Sequence, residues 1–162
     1  MKIVNSKLLI KYNTFNVNAH AEFFADIEND EELKELLNHV KFKNINRFIL
    51  GGGSNILITK NITGLVIHNQ IKGCYIIQDS PEYVIVEIGA GETWHHIVEW
   101  STIHDLYGIE NLSLIPGYVG ATPIQNIGAY GSELKDVFVS LDAINLFNQE
   151  QLILDKKDCK FG

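Results

Sequence analysis

The segment from Ile115 to Gly131 has the residue types of a ligand-binding loop. It contains two of the three prolines and four of the 13 glycines, so it is too broken for a long helix or strand. It is also too apolar for an ordinary solvent loop, and its backbone polar groups need partners outside a regular ladder. A bound polar ligand is one such partner, and Thr122 and Asn126 could add side-chain hydrogen bonds to it. The alternative interpretation is an internal packed loop with glycines at left-handed turns.

A second glycine cluster, Gly51-Gly52-Gly53-Ser54-Asn55, comes directly after a predicted strand. Consecutive glycine amides can form a concave anion site, and the Ser54 and Asn55 side chains could add hydrogen bonds to phosphate oxygens. The residues after Asn55 are strand-like rather than helical, unlike a dinucleotide-binding fingerprint, and the cluster lacks the Gly-Lys-Ser/Thr of a Walker A loop. The alternative is a plain hairpin turn.

A third turn, residues 89–93 (Gly-Ala-Gly-Glu-Thr), joins a strand to a helix. It is either a tight connection or a third wall of the same pocket. His95 and His96 are adjacent, so a helix points them in different directions, and neither belongs to a zinc-binding pattern. No nucleophile-elbow motif occurs. We therefore predict no catalytic residue and no metal ligand in this sequence.

Composition and charge exclude several classes of protein. The length of 162 residues predicts one domain or two small subdomains. A net charge of -7, with Arg47 as the one arginine, argues against nucleic-acid binding. No apolar run approaches the roughly 20 residues of a membrane helix, and the N-terminus has no signal-peptide pattern. Cys74 and Cys159 form no CxxC pair, which is typical of reduced thiols in a cytoplasmic protein.

Apolar periodicity predicts mixed helices and strands. Leucines and Val40 at i, i+3, i+4, i+7 spacing predict a helix that begins at Asn29 or Asp30, and a second helix begins near Trp94 and stops before Gly108. Strands are predicted at 47–50, 55–59, 64–68, 74–77, 83–88, 137–147 and 151–154. Because helices and strands do not alternate strictly, the predicted fold class is α+β with mixed sheets.

Three motifs closely resemble the UDP-N-acetylenolpyruvoylglucosamine reductase family. They are residues 49–57 (ILGGGSNIL), 89–94 (GAGETW) and 115–131 (IPGYVGATPIQNIGAYG), and residues 12–15 (YNTF) are similar to the family's opening segment. The resemblance covers nearly the whole chain in order. It implies an FAD-binding domain of the p-cresol methylhydroxylase and vanillyl alcohol oxidase type. Its two α+β subdomains would be residues 1–70 and 71–162.

The same resemblance implies how FAD is held. Gly51, Gly53, Ser54 and Asn55 would hold the pyrophosphate, and Tyr130 would lie at the substrate face. The residues that would line the flavin and ribityl part, or lie beside it, are Pro116, Gly117, Gly120, Ala121, Thr122, Pro123, Ile127 and Gly128. Further implied cofactor contacts are Gly52, Ile56, Ile115, Val119 and Asn126. Ala121 stands where similar proteins carry serine, which removes one side-chain hydrogen bond to the flavin.

The implied activity is that of a cytoplasmic flavoprotein oxidoreductase of peptidoglycan precursor synthesis. NADPH would deliver hydride to FAD, which would reduce UDP-N-acetylenolpyruvoylglucosamine to UDP-N-acetylmuramate. The family's catalytic arginine, serine and glutamate and its substrate domain have no match up to Gly162. We therefore expect FAD binding without turnover by this chain, with a possible second chain supplying the substrate domain. The alternative is a non-catalytic flavin-binding module or half of a split flavoenzyme.

Overall fold

The computed structural model describes residues 1–161, and their contacts divide the chain between Lys72 and Gly73. We call Met1–Lys72 unit 1 and the chain from Gly73 onward unit 2. The division predicted from the sequence, after residue 70, lies just before this point. Each unit contains both helices and strands, so the predicted α+β class is confirmed.

Unit 1 is built on a four-stranded sheet. In chain order its elements are β1 (Ile3–Leu8), β2 (His20–Ile27), α1 (Asp30–Asn38), β3 (Arg47–Leu50) and β4 (Ile62–Asn69). The strand order across the sheet is β1-β2-β4-β3. β1 pairs antiparallel with β2, whereas β4 pairs parallel with both β2 and β3. The sheet is mixed, as predicted, although the sequence pattern did not predict β1 and β2.

Local signals explain α1 and the central strand β4. The Asn29 side chain accepts a hydrogen bond from the Glu32 amide at 2.9 Å, which caps the start of α1, and Leu36 and Leu37 are buried. β4 lies between two parallel neighbours, and its residues from Gly64 to His68 are all buried. A strand covered on both faces is expected to be a continuous apolar run, as this one nearly is.

The prediction of a strand at residues 55–59 is wrong. Ile58 is 6% exposed and packs in a core cluster with Leu9, Phe24 and Val66. The segment therefore buries side chains in the core of unit 1 but joins no strand ladder within residues 1–161. The apolar pattern of residues 55–59 reflects the burial of side chains, and such a pattern cannot distinguish a buried loop from a paired strand.

Up to residue 161, unit 2 contains three two-stranded antiparallel sheets, three α-helices and two 3-10 helices at Glu110–Leu112 and Val119–Ala121. Its core is formed by Trp94, Val98, Leu112, Ile127 and Leu134. In chain order its elements are β5 (Cys74–Asp79), β6 (Val84–Ile88), α2 (Trp94–Ile103), α3 (Thr122–Gln125), β7 (Gly128–Ala129), β8 (Ser132–Glu133), α4 (Leu134–Val137), β9 (Ser140–Ile144) and β10 (Gln151–Asp155).

The extents of two predicted elements in unit 2 differ most from the structure. The predicted strand 137–147 is β9, which runs only from Ser140 to Ile144, because Val137 belongs to the short helix α4, whose start is closed by a capping box of Glu133 and Asp136. α2 ends at Ile103, before the predicted stop at Gly108. The predicted hairpin partner at 151–154 is confirmed as β10. Among residues 1–161, no helix has the length and apolar character needed to cross a membrane.

Candidate functional site

The Gly51–Asn55 loop of unit 1 begins where β3 ends, at the carboxyl edge of the parallel pair β3 and β4. Leu50, the last residue of β3, pairs with His68 of β4. Because β3 and β4 run parallel, the loop is not the hairpin turn that the sequence left open. Loops at the carboxyl ends of parallel strands are common ligand-binding positions.

The Gly51–Asn55 loop is held by the segment from Tyr12 to Thr14. Gly53 has φ +67°, and a Cβ built there would lie 2.0 Å from the Tyr12 carbonyl oxygen. The Thr14 amide donates to the Gly53 carbonyl at 3.2 Å, and the Thr14 hydroxyl donates to the Ser54 carbonyl at 3.4 Å. The sequence analysis gave residues 12–15 as part of the family resemblance but predicted no role for them. Their contact with the loop joins segments about 40 residues apart, so no local pattern could reveal it.

The loop presents backbone amides suited to an anion. The amides of Gly52, Gly53 and Ser54 make no hydrogen bond within residues 1–72. Gly53 is buried, so an unsatisfied amide there is unfavourable. A pyrophosphate would satisfy such amides without requiring a basic side chain, and the residues present therefore fit this part of a dinucleotide.

In unit 2 the structure brings two of the glycine-bearing segments together. The Val119 amide donates to the Glu92 carbonyl and the Gly120 amide to the Ala90 carbonyl, both at 2.9 Å. A Cβ on Gly120 would lie 2.7 Å from the Ala90 Cβ. The turn at residues 89–93 is thus a strand-to-helix connection that also supports the loop after residue 117.

The beginning of the Ile115–Gly131 segment is held by the first turn of α2. The Trp94 indole Nε1 donates to the buried Leu112 carbonyl at 2.9 Å. His95 Nδ1 lies 3.2 Å from the Ser113 hydroxyl and 3.3 Å from the Leu114 amide nitrogen. The sequence did not predict this contact of His95. The histidines were judged by zinc-ligand spacing, and that signal cannot reveal a contact with the main chain of another segment.

The predicted flavin-lining residues lie in different environments. Pro116, Gly120 and Gly128 are exposed, whereas Thr122 and Ile127 are buried. The Thr122 hydroxyl donates to the Val119 carbonyl at 2.8 Å, so its hydrogen is used within the loop. Ile127 packs in the unit 2 core, its amide donates to the Thr122 carbonyl at 3.4 Å, and its carbonyl accepts from the Leu134 amide at 2.9 Å.

A polar cavity of about 550 Å³ opens beside the β7–β8 hairpin. Asn126, Gly128, Glu133 and Asp136 contribute to its lining. Tyr130, at the tip of the hairpin, is 91% exposed. Two predicted cofactor residues, Asn126 and Gly128, thus line the cavity. Tyr130, the residue predicted to face the substrate, is next to the lining residue Gly131 in the sequence.

The titratable groups near the 89–93 turn do not form a nucleophilic site. Burial raises the pKa of the Cys74 thiol, and the Glu92 carboxylate raises that pKa further. The thiol is therefore protonated at neutral pH, whereas a reactive cysteine needs a lowered pKa. Glu92 also accepts a hydrogen bond from the Gly73 amide at 2.9 Å. Within residues 1–161, no three metal-ligating side chains lie together.

Comparison with protein families identifies the fold. Residues 21–148 match the family model described as FAD binding domain. The chain belongs to the FAD binding domain family. The predicted cofactor, FAD, is confirmed by this membership.

The FAD binding domain is similar to curated proteins named UDP-N-acetylenolpyruvoylglucosamine reductase, which confirms the resemblance seen in the motifs. The protein from Flavobacterium johnsoniae is 50% identical over 162 residues, which cover 100% of this chain and 48% of the relative. The protein from Pseudomonas putida is 40% identical over 151 residues, which cover 93% of this chain and 44% of the relative. The chain therefore spans about half the length of the curated relatives it matches.

The FAD binding domain also matches a solved fold. The crystal structure of UDP-N-acetylenolpyruvylglucosamine reductase from Thermus caldophilus superposes with a TM-score of 0.73 at 22% identity. The match covers 97% of this chain and 53% of that chain. At this identity the likeness establishes the fold, and it agrees with the α+β class predicted from the sequence.

Proposed function

We propose that this chain is the FAD-binding part of an NADPH-dependent reductase that converts UDP-N-acetylenolpyruvoylglucosamine to UDP-N-acetylmuramate in peptidoglycan precursor synthesis. The observation that carries the proposal is the 50% identity to a curated reductase across all 162 residues. Units 1 and 2 would be the two subdomains of the FAD-binding domain. The two free cysteines are typical of a reducing compartment and support action in the cytoplasm.

The proposed binding mode relies mainly on the backbone. The amides of Gly52, Gly53 and Ser54 would donate to the pyrophosphate, and their lack of a partner within residues 1–72 supports this role. The segment from Ile115 to Gly128 would line the flavin and ribityl part. Its support by the 89–93 turn through main-chain hydrogen bonds would keep that wall in place before the ligand arrives.

The exposed Tyr130 would face the UDP-sugar. Its φ of +52° lies in the left-handed region, so the hairpin tip holds this side chain outward at the cost of backbone strain. When bound, FAD supplies the hydride transfer that links NADPH to the enolpyruvyl double bond. The residues of this chain would orient the cofactor and the sugar and would exclude water from the flavin.

The first test measures cofactor retention and turnover. The purified chain is incubated with FAD, desalted and analysed by absorbance, and the flavin released on denaturation is identified. We expect flavin bands and released FAD. We expect no UDP-N-acetylmuramate from NADPH and the substrate, because the chain spans about half the length of the reductases, which serve as the positive control. Sustained product formation would contradict the expected lack of turnover.

The second test measures the pyrophosphate role of the Gly51–Asn55 loop. Ser54→Asp places a negative charge beside the proposed pyrophosphate, so FAD affinity should fall by at least about tenfold. Affinity for riboflavin, which has no phosphate, should change little. Thr59→Asp adds the same charge at an exposed position a few residues after the loop and serves as the control. Equal losses for FAD and riboflavin would remove the loop from the pyrophosphate site.

A further inference from the structure

Leu114 has a backbone conformation that residues with a Cβ rarely adopt. Its φ of +62° lies in the left-handed region. The side chain is 75% exposed, so burial does not compensate for the strain. The next residues are Ile115 and Pro116, and a proline restricts the residue before it to extended conformations. Leu114 therefore sets the direction in which the segment Ile115–Gly117 leaves the core of unit 2.

The first turn of α2 holds this short segment at both ends. At the far end, the Trp94 amide donates to the Gly117 carbonyl at 3.0 Å. At the near end, His95 Nδ1 lies 3.3 Å from the Leu114 amide nitrogen and 3.2 Å from the Ser113 hydroxyl oxygen. Both distances suit donation to an unprotonated ring nitrogen. His95 is thus the side chain that accepts from the amide of the strained residue.

We infer that His95 is a positioning residue for FAD: by accepting from the Leu114 amide, it holds Ile115–Gly117 in the orientation that lines the cofactor. The inference rests on the proposed function, in which this segment contacts the flavin and ribityl part. His95 itself contacts no cofactor in this scheme. Its contribution is to stabilise a loop conformation that the Leu114 backbone alone disfavours.

The role requires a neutral imidazole that carries its hydrogen on Nε2. The charged group facing the ring is Glu99, on the same helix, whose Oε1 lies 3.5 Å from Nε2. The opposite segment presents the Ser113 hydroxyl and the Leu114 amide, neither of which is charged. A proton on Nδ1 would replace the acceptor by a donor aimed at the Leu114 amide.

The test titrates FAD into the purified chain, with flavin fluorescence as the readout. His95→Leu removes the acceptor with little change in volume, and FAD affinity should fall about fivefold, the effect of one hydrogen bond. His95→Asn places an amide oxygen where Nδ1 lies, so it should bind FAD as the wild type does. His96→Leu alters the exposed neighbour and should leave FAD affinity unchanged.

A second variant separates positioning from general damage. Glycine adopts the left-handed conformation without a steric penalty, so Leu114→Gly should restore about half of the affinity lost in His95→Leu. Wild-type FAD affinity in His95→Leu, or a loss of affinity in His95→Asn as large as in His95→Leu, would overturn the inference. If His95→Leu does not fold, the affinity of His95→Asn decides the matter, because a loss of about fivefold in that variant would also overturn the inference. A wild-type chain that fails to bind FAD would overturn the proposed function, and the inference with it.

Discussion

The central strands of unit 1, β2 and β4, are buried much more completely than the strands of unit 2. In β4 five consecutive residues are buried, whereas the described strands β5, β6, β9 and β10 contain no fully buried residue. The Gly51–Asn55 loop extends from this sheet at its edge strand β3 and is also held by hydrogen bonds from Thr14. The loops of unit 2 depend on hydrogen bonds to one another and on a small core around Trp94. The loops of both units thus use a second segment as hydrogen-bonding partner, and the units differ in how deeply their strands are buried.

The largest expected effect tests the packing half of this comparison. Phe24 is 1% exposed in the core of unit 1, and Phe24→Ala should lower the free energy of unfolding by about 3–5 kcal/mol through lost contacts and a cavity. Leu154→Ala, at a half-buried position of β10, should cost about 1 kcal/mol. Urea denaturation followed by far-ultraviolet circular dichroism measures both. Equal costs would show that burial does not distinguish the two units.

The next effect compares two glycines in left-handed conformations. Gly53→Ala forces a Cβ against the Tyr12 carbonyl, so the variant should lose more than about 2 kcal/mol of stability. Gly131 has φ +83°, and a Cβ placed there would meet no atom of residues 1–161 within 4 Å, so Gly131→Ala should cost only about 1 kcal/mol of backbone strain. The difference between the two stability losses measures how tightly the Tyr12–Thr14 segment packs on the Gly51–Asn55 loop. Thermal unfolding of both variants measures these losses, and similar values would contradict the close approach of Tyr12 to Gly53.

A smaller effect tests the anchor of the loops in unit 2. Trp94→Phe keeps an aromatic ring in the core but leaves the buried Leu112 carbonyl without its donor, which should cost about 1–3 kcal/mol. Trp100→Phe is the matched control, because Trp100 lies on the same helix α2 and its ring packs against His104. Urea denaturation should show a clearly smaller loss for this control. A Trp94→Phe variant as stable as the wild type would mean that the indole hydrogen bond does not anchor the segment.

The smallest expected effect concerns the charge beside the 89–93 turn. The Glu92 carboxylate contributes to the raised pKa of Cys74 because a negative charge disfavours the thiolate. Glu92→Gln removes the charge, so the pKa should move down and alkylation at about pH 8 should become faster. The rate is measured against pH in a Cys159→Ser background, which leaves one thiol. Glu99→Gln is the control, and an unchanged profile in Glu92→Gln would exclude the electrostatic effect.

Elements with a complete local signal could be predicted from the sequence. The asparagine cap and leucine spacing predicted α1, the run Arg47–Leu50 predicted β3, and the turn after Phe147 predicted the β9–β10 hairpin. For α1 and the β9–β10 hairpin the stabilising contacts lie close together in sequence, whereas β3 pairs with Leu65 to His68 of β4 and was predicted from its apolar run alone. The polar residues of β2, such as Glu22 and Asp26, interrupt its apolar pattern, and that strand was not predicted.

The motifs alone determined the family and its cofactor, because their order of glycines, prolines and amides is specific enough to be recognised without coordinates. Only the tertiary structure decided that β4 lies between β2 and β3, that residues 89–93 support residues 117–120, and that His95 meets Leu114. The physical reason is that a backbone amide can donate to, and a backbone carbonyl can accept from, any partner of suitable geometry. Sequence shows where such groups need partners, and the fold determines which distant segment supplies them.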